Sequence, residues 1–232
     1  ISFGAPKMIL KLFVRYSDGS EETIVSDRTW KIFPSPVTFA SIYGGEDYDA
    51  RLEQEGWEKG GFNDKKWKES LEVREPTGEL KSEMDYSLKI MEVFEPADIT
   101  FRNDSIYVYD FNQNASGIVR LKVHGKKGQV GRLIPGELIS EDTLVTQKAS
   151  GEPYYYTYTL KGIREEIWVP RFSYYGFRYV EAEGAMPAGK PNPDNLPVIT
   201  GMEFLHTRNS SPSAGSFRCS NELFNSIYKL IS

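Results

Sequence analysis

The stretch Ile118-Val119-Arg120-Leu121-Lys122-Val123-His124, Gly125-Lys126-Lys127-Gly128, Gln129-Val130-Gly131-Arg132-Leu133 decides the fold. It reads as strand, glycine-framed turn and strand, the unit from which an antiparallel sheet grows. Working outward, residues 90–94 and 106–111 give further strands before it, and 154–160, 167–170, 177–182 and 198–207 give more after it. Short strands at such spacing, separated by Gly-rich turns, predict a β-sandwich or jelly roll and not a parallel α/β sheet.

The upstream part follows the same rules. Residues 8–16 alternate as a strand, Ser17-Asp18-Gly19-Ser20 turns, and Glu22-Thr23-Ile24-Val25 returns as the second arm of a hairpin. Trp30-Lys31-Ile32-Phe33 is a short strand stopped by Pro34 and Pro36, which cannot donate to a ladder. Residues 37–43 resume before Gly44-Gly45. Between 56 and 71, Trp57, Phe62 and Trp67 flank Gly60-Gly61 and Asn63-Asp64, predicting a folded loop with at most one helical turn, anchored by its aromatics. Residues 72–83 are polar and contain Pro76 and Gly78, a first boundary. Residues 184–197 are a proline-rich loop and 208–216 a Ser-rich linker. From Ser220-Asn221-Glu222, an N-cap and first turn, Leu223, Phe224, Ile227, Tyr228, Leu230 and Ile231 recur at helical spacing.

Composition excludes several classes. With 232 residues the chain holds one large domain or two small ones. Lys plus Arg number 28 against 33 Asp plus Glu, so no global attraction draws it to nucleic acid. The single cysteine, Cys219, rules out an intrachain disulfide framework or a multi-cysteine metal site, and two histidines leave little imidazole chemistry. No apolar run reaches the length of a membrane span, and no signal peptide is expected within these residues. Aromatic residues make up 13% of the chain, with 20 glycines, which favours strands and turns.

Three segments carry candidate chemistry. In Gly44-Gly45-Glu46-Asp47-Tyr48-Asp49-Ala50-Arg51, an extended backbone would set Asp47 and Asp49 on one face about 6.6 Å apart along the strand, close to the carboxyl spacing of an inverting glycosidase. The structural alternative pairs Arg51 with one acid, gives the others to backbone amides or a cation, and uses the segment to hold the loop bearing Trp57. Glu46 with Asp49 is the weakest catalytic pair, because their odd spacing points them to opposite faces. Asp110-Phe111-Asn112-Gln113-Asn114 offers hard oxygens for calcium and amides for sugar hydroxyls. Its spacing is not that of an EF-hand, and polar side chains at a strand end also satisfy turn amides. In the runs 154–158 and 172–179, alternate rings belong to the core. The others, with Tyr154 and Tyr175 as candidates, would offer flat apolar faces to sugar C–H groups. His124 and His206 are expected to be satisfied by neighbours. The sequons at Asn103, Asn114 and Asn209 matter only in a eukaryotic secretory pathway. G-x-S-x-G, Walker A and G-x-G-x-x-G motifs are absent.

At these residues the sequence resembles a known family. Gly45 to Arg51, followed by Gly56-Trp57 and Gly61-Phe62-Asn63-Asp64, resembles the end of the amino-terminal β-sandwich of bacterial α-L-rhamnosidases, glycoside hydrolase family 78. Asp110 to Gly117, Gly136-Glu137-Leu138, Tyr158 to Gly162, and Pro170-Arg171-Phe172 through Glu181 are similar to the concanavalin-like sandwich that follows. Ser216 to Asn221, running into a helix, resembles the start of the family's (α/α)6 catalytic barrel. The resemblance implies three parts: 1–75 from the amino-terminal sandwich, 76–208 as the concanavalin-like sandwich, and 209–232 as linker and first barrel helix. The expected fold is thus all-β, an antiparallel sandwich with part of a second and a short C-terminal helix. Asn112 departs from the pattern, standing where the family usually has Gly.

The family hydrolyses terminal α-L-rhamnosides with inversion, using two carboxylates carried by the barrel. Nothing in this chain matches that acidic motif, and the family carries further strands before the segment that Ile1 opens. The resemblance therefore implies an internal fragment of a larger enzyme, a non-catalytic region that supports the barrel and contacts carbohydrate. The rival reading is an autonomous carbohydrate-binding module, calcium-dependent and rhamnose-binding, although no motif carries such ligands over. The implied partners are rhamnose-containing glycosides and the rest of the enzyme. A periplasmic or extracellular location fits substrates that lie outside the cytoplasm.

Overall fold

Eighteen residues, Tyr107–His124, form one strand about which most of the protein is arranged. The computed structural model describes residues 7–73, 79, 81–102, 106–151 and 153–231. The expected sequon at Asn103, and residues 74–78 where the first boundary was placed, lie outside them. The chain divides into two compact units, one of Ile1–Pro36 with Leu52–Glu83 and one of Val37–Arg51 with Met84–Ser232.

In the first unit, Lys11–Arg15 pairs antiparallel with Glu21–Val25 in the register Phe13 opposite Thr23. Asp18 fixes the turn by accepting from the Ser20 amide at 2.9 Å. Lys31–Ile32 pairs with Lys68–Glu69. The loop between them condenses on the Trp67 ring, whose centroid lies 5.8 Å from Phe33, 5.7 Å from Phe62 and 6.5 Å from Trp57. The expectation of an aromatic-anchored loop therefore holds within this unit.

The second unit is a two-layer sandwich because the long strand serves both layers. Its first half pairs with Asp98–Phe101 and Tyr175–Glu183. Its second half pairs with Val198–Asn209 and Glu166–Trp168. From Tyr175–Glu183 the first layer continues through Val130–Gly136, Tyr155–Thr159, Gly45–Asp49 and Val37–Ser41. In the second layer, Leu88–Phe94 lies along Val198–Asn209. Alternation then follows from the pleat: Val119, Leu121 and Val123 point inward and are buried, while the residues between them are not. Rings join the layers. Phe204 stacks on Phe177 at 4.0 Å and meets Phe111 edge-on at 5.6 Å. Trp168 packs on Tyr158 at 5.2 Å and on Tyr156 at 6.2 Å.

Several expectations need correction. The two strands foreseen at 106–111 and 118–124 are one, because Asn112 adopts a left-handed φ of 57° and lets the chain bend without ending the strand. Short strands at Asp98–Phe101, Leu138–Ile139 and Val145–Thr146 carried too few residues to show a period. Among the described residues two pairings are parallel, Gly45–Asp49 with Tyr155–Thr159 and Met186–Pro187 with Val198–Ile199, and the others are antiparallel. The strands Val37–Ser41 and Gly45–Asp49 belong to the second unit, whose sheet they extend. The predicted helix is Glu222–Ile231, capped by Asn221 Oδ1, which accepts from the Leu223 amide at 3.0 Å. Leu223, Phe224, Ile227, Leu230 and Ile231 on it are exposed.

Candidate functional site

The bend of the long strand creates the site. Opposite Tyr175–Glu183 the register jumps: Phe177 faces Ala115, but Tyr179 faces Asp110. Residues 111–114 therefore bulge out of the ladder, and Arg178 sits against the bulge. Its guanidinium donates to both oxygens of Asp110 at 2.8 Å, and Asp110 Oδ1 also accepts from the Asn112 amide at 2.7 Å. The Arg178 hydrogen bonds hold the Asp110 carboxyl below its ordinary value. Asn112 Oδ1 lies 3.4 Å from the same guanidinium. Gln113 donates to the Asn114 carbonyl at 3.1 Å, a purely local contact.

Asn114 turns the other way. Its Nδ2 donates to Glu137 Oε1 at 3.1 Å, and Glu137 lines a shallow groove of about 350 Å³ with Ser150, Tyr154, Tyr174, Tyr175 and Gly176. Tyr154 and Tyr175 lie ring against ring at 4.2 Å. Tyr154 is only 2% exposed, which corrects the expectation that its ring is exposed. Its position is set by Gln147, buried, whose Nε2 donates to the Tyr154 carbonyl at 2.7 Å while Oε1 accepts from the Tyr154 amide at 3.2 Å. Burial raises the Tyr154 phenol above its ordinary pKa, and a hydrogen bond with Ser150 partly offsets this. Tyr174 is the exposed ring of the groove, at 47%. Gly176 keeps the floor low, because a Cβ there would lie 3.3 Å from Glu137 Oε1. Asn114, Glu137, Tyr154 and Tyr175 are therefore brought together, as four of the residues singled out by sequence.

The acidic segment 46–51 is placed elsewhere. Glu46 is fully buried, and its Oε2 accepts from the Arg171 and Phe172 amides at 3.0 and 3.1 Å. Its Oε1, with Tyr156 Oη and Ser173 Oγ, is buried without a hydrogen-bond partner. Asp49 is held by Arg51 through two hydrogen bonds of 2.8 and 2.7 Å, which keep its carboxyl below the ordinary value. Asp47 is half-buried and paired in register with Thr157, and its carbonyl accepts from Thr38 at 3.3 Å. Trp57 belongs to the first unit, 58% exposed. Among the described residues no group of three or more His, Cys, Asp or Glu is placed to hold a metal ion. His206 Nδ1 lies 2.9 Å from the Ser116 carbonyl, a structural contact.

Sequence reasoning missed Gln147, Ser150, Arg178 and Glu166. Glu166 is buried and accepts from Tyr158 Oη at 2.9 Å and from the Lys161, Gly162 and Ile163 amides at 3.0, 2.8 and 3.3 Å. The available signal was an acid four residues after a glycine, at the end of an aromatic strand.

These features define an all-β protein of the two-layer sandwich class, with one strand shared by both layers. The profile of the alpha-L-rhamnosidase N-terminal domain matches residues 2–92, and that of the bacterial alpha-L-rhamnosidase concanavalin-like domain matches residues 101–202. Over these stretches the chain belongs to the bacterial α-L-rhamnosidase family. Among curated relatives, an alpha-L-rhamnosidase of Formosa agariphila is 32% identical over 99% of this chain and 24% of its own length. One of Streptomyces avermitilis is 34% identical over 97% of this chain and 21% of its own. Among solved structures, the alpha-L-rhamnosidase from Dictyoglumus thermophilum superposes with a TM-score of 0.84 at 35% identity, covering 94% of this chain and 24% of that one. The Streptomyces avermitilis alpha-L-rhamnosidase complexed with L-rhamnose gives 0.82 at 31% identity, over 94% of this chain and 20% of that one. The chain thus spans about a quarter of the length of the relatives it matches.

Proposed function

We propose that this chain is the non-catalytic β region of an enzyme that hydrolyses terminal α-L-rhamnosides, supporting a helical catalytic barrel. The observation that carries this reading is the succession of the two rhamnosidase domain matches in one chain. The commitments of its acids support it further. Glu46 and Glu166 serve backbone amides, Asp49 serves Arg51, Asp110 serves Arg178, and Glu203 serves Arg120 and Lys122. Inverting hydrolysis needs two carboxyl groups facing each other across open space, and these are turned to structural partners. The expected result is that the chain alone does not hydrolyse an aryl α-L-rhamnoside; turnover that disappears in Asp47→Asn or Asp49→Asn would overturn the reading.

A second reading is favoured by the groove. With the exposed Tyr174 ring, the half-buried Tyr175, the Glu137 carboxylate and the Ser150 hydroxyl, it has the mixture that contacts sugars, an apolar face with polar edges. Here the chain contacts carbohydrate, either within the enzyme or as an autonomous module. Calorimetric titration with L-rhamnose, with and without calcium, tests it: saturable heat supports contact, and silence refutes it.

A further inference from the structure

The groove's chemistry is asymmetric in charge. Its one ionisable acid is Glu137, and no lysine, arginine or histidine lines it. Glu137 Oε1 accepts from Asn114 Nδ2. Its Oε2 has no protein donor among the described residues, so one full acceptor oxygen is available to a ligand. Arg178, which sits against this bulge, is engaged by both oxygens of Asp110. The remaining lining supplies the exposed Tyr174 ring with its phenol and the Ser150 hydroxyl, which bonds Tyr154, while the Tyr175 phenol donates to the Ser41 carbonyl at 3.5 Å. An incoming carboxylate would face Glu137 with no cation in the lining to neutralise the pair.

Resting on the carbohydrate-contact reading, we propose that Glu137 makes this groove a site selective for neutral pyranosides, turning away acidic sugars such as uronates. A neutral ring lays its C–H face on Tyr174 and donates a hydroxyl to Glu137 Oε2. An acidic ring brings its carboxylate into repulsion with Glu137 at close range, and partial burial of Glu137 limits how far water screens it. A cationic ligand would also suit a carboxylate beside aromatic rings. The donor hydroxyls and the single exposed ring argue for the polyol, since cation recognition calls for several faces enclosing the charge and no hydroxyl donors.

The experiment is a titration of the full chain followed by amide resonances of residues 137 and 174–176. The probes are methyl α-L-rhamnopyranoside, glucuronate and choline. Weak monosaccharide binding, with Kd on the order of 1 mM, is the regime expected for an open groove. The neutral glycoside should bind at least about tenfold more tightly than glucuronate, and Glu137→Gln should shrink that ratio to near one while retaining the neutral sugar. Gly176→Val, which fills the floor without touching the core, should abolish all shifts. Equal binding of both sugars by the parent chain, or a ratio unmoved in Glu137→Gln, refutes the charge selection while leaving carbohydrate contact standing. Absence of shifts with either sugar refutes both readings, and tighter binding of choline refutes the polyol assignment. Whatever the outcome, the hydrolysis assay on the chain alone decides the scaffold reading separately.

Discussion

Replacing Glu166 by glutamine tests whether the second unit depends on a buried carboxylate acting as a four-fold acceptor. Oε2 serves Tyr158 Oη and the Lys161 amide, and Oε1 serves the Gly162 and Ile163 amides. Glutamine keeps one acceptor oxygen. Placed at Oε1, that oxygen retains two amides, and the Tyr158 hydroxyl can rotate to accept from the new NH₂ group. Only the Lys161 N–H is then left facing a donor, a loss of about 1–3 kcal/mol. Alanine removes every acceptor and should cost at least about twice as much. Because the chain has two units, a global melt would mix them. Native-state amide exchange at Val119 and Leu121, in the core of the long strand, reports on the second unit alone. Glu166→Gln should accelerate it by about 5- to 150-fold at 25 °C where exchange follows global opening, and Glu166→Ala should do so by more. Exchange within twofold of the parent for glutamine, or an alanine variant no worse than glutamine, would show that the amides find other partners.

Asp110 titrates below an ordinary carboxyl because of Arg178, so its contribution is full above the unfolded value of about 3.9 and is lost as pH falls through the lower folded value. Acid unfolding of Asp110→Asn followed by circular dichroism should therefore be less steep in that window than the parent's; parallel curves would contradict the pairing. Gly162 has a φ of +85°, and a Cβ there would stand 2.5 Å from the Lys127 amide nitrogen. Gly162→Ala should cost about 1–3 kcal/mol in urea unfolding, and an unchanged midpoint would refute the tight approach. At Asn112, with φ 57°, glycine should be nearly neutral, whereas valine should cost at least about 1 kcal/mol by the same measurement.

What the sequence revealed tracks sequence distance. The strands, the aromatic loop around Trp67 and the cap of the final helix are written in neighbouring residues, and Asp49 with Arg51 is a pair two positions apart. Glu46 bonds amides 125 and 126 residues away, and Asn114 reaches Glu137 across 23. No local pattern encodes such partners; they exist only once strand register is set. The same limit explains Tyr154. Alternation says that half of a tyrosine run is buried, but not which half, since a one-residue slip exchanges the faces. The groove itself depends on a bulge, and the sequence showed that only as an asparagine in an unusual place.

The hairpin formed by Val37–Ser41 and Gly45–Asp49 governs how this polypeptide can be dissected or recombined. A gene trimmed to the 101–202 limits of the second domain match would discard it. The Tyr155–Thr159 strand would then lose a neighbour, and the Arg171 and Phe172 amides their acceptor. A crossover with a homologue placed between residues 84 and 101 would pair each parent's hairpin with the other parent's sheet. Exchange should therefore succeed only where both parents keep the Glu46 contact, so the hairpin and its sheet travel as one module although the two domain matches assign them to different domains.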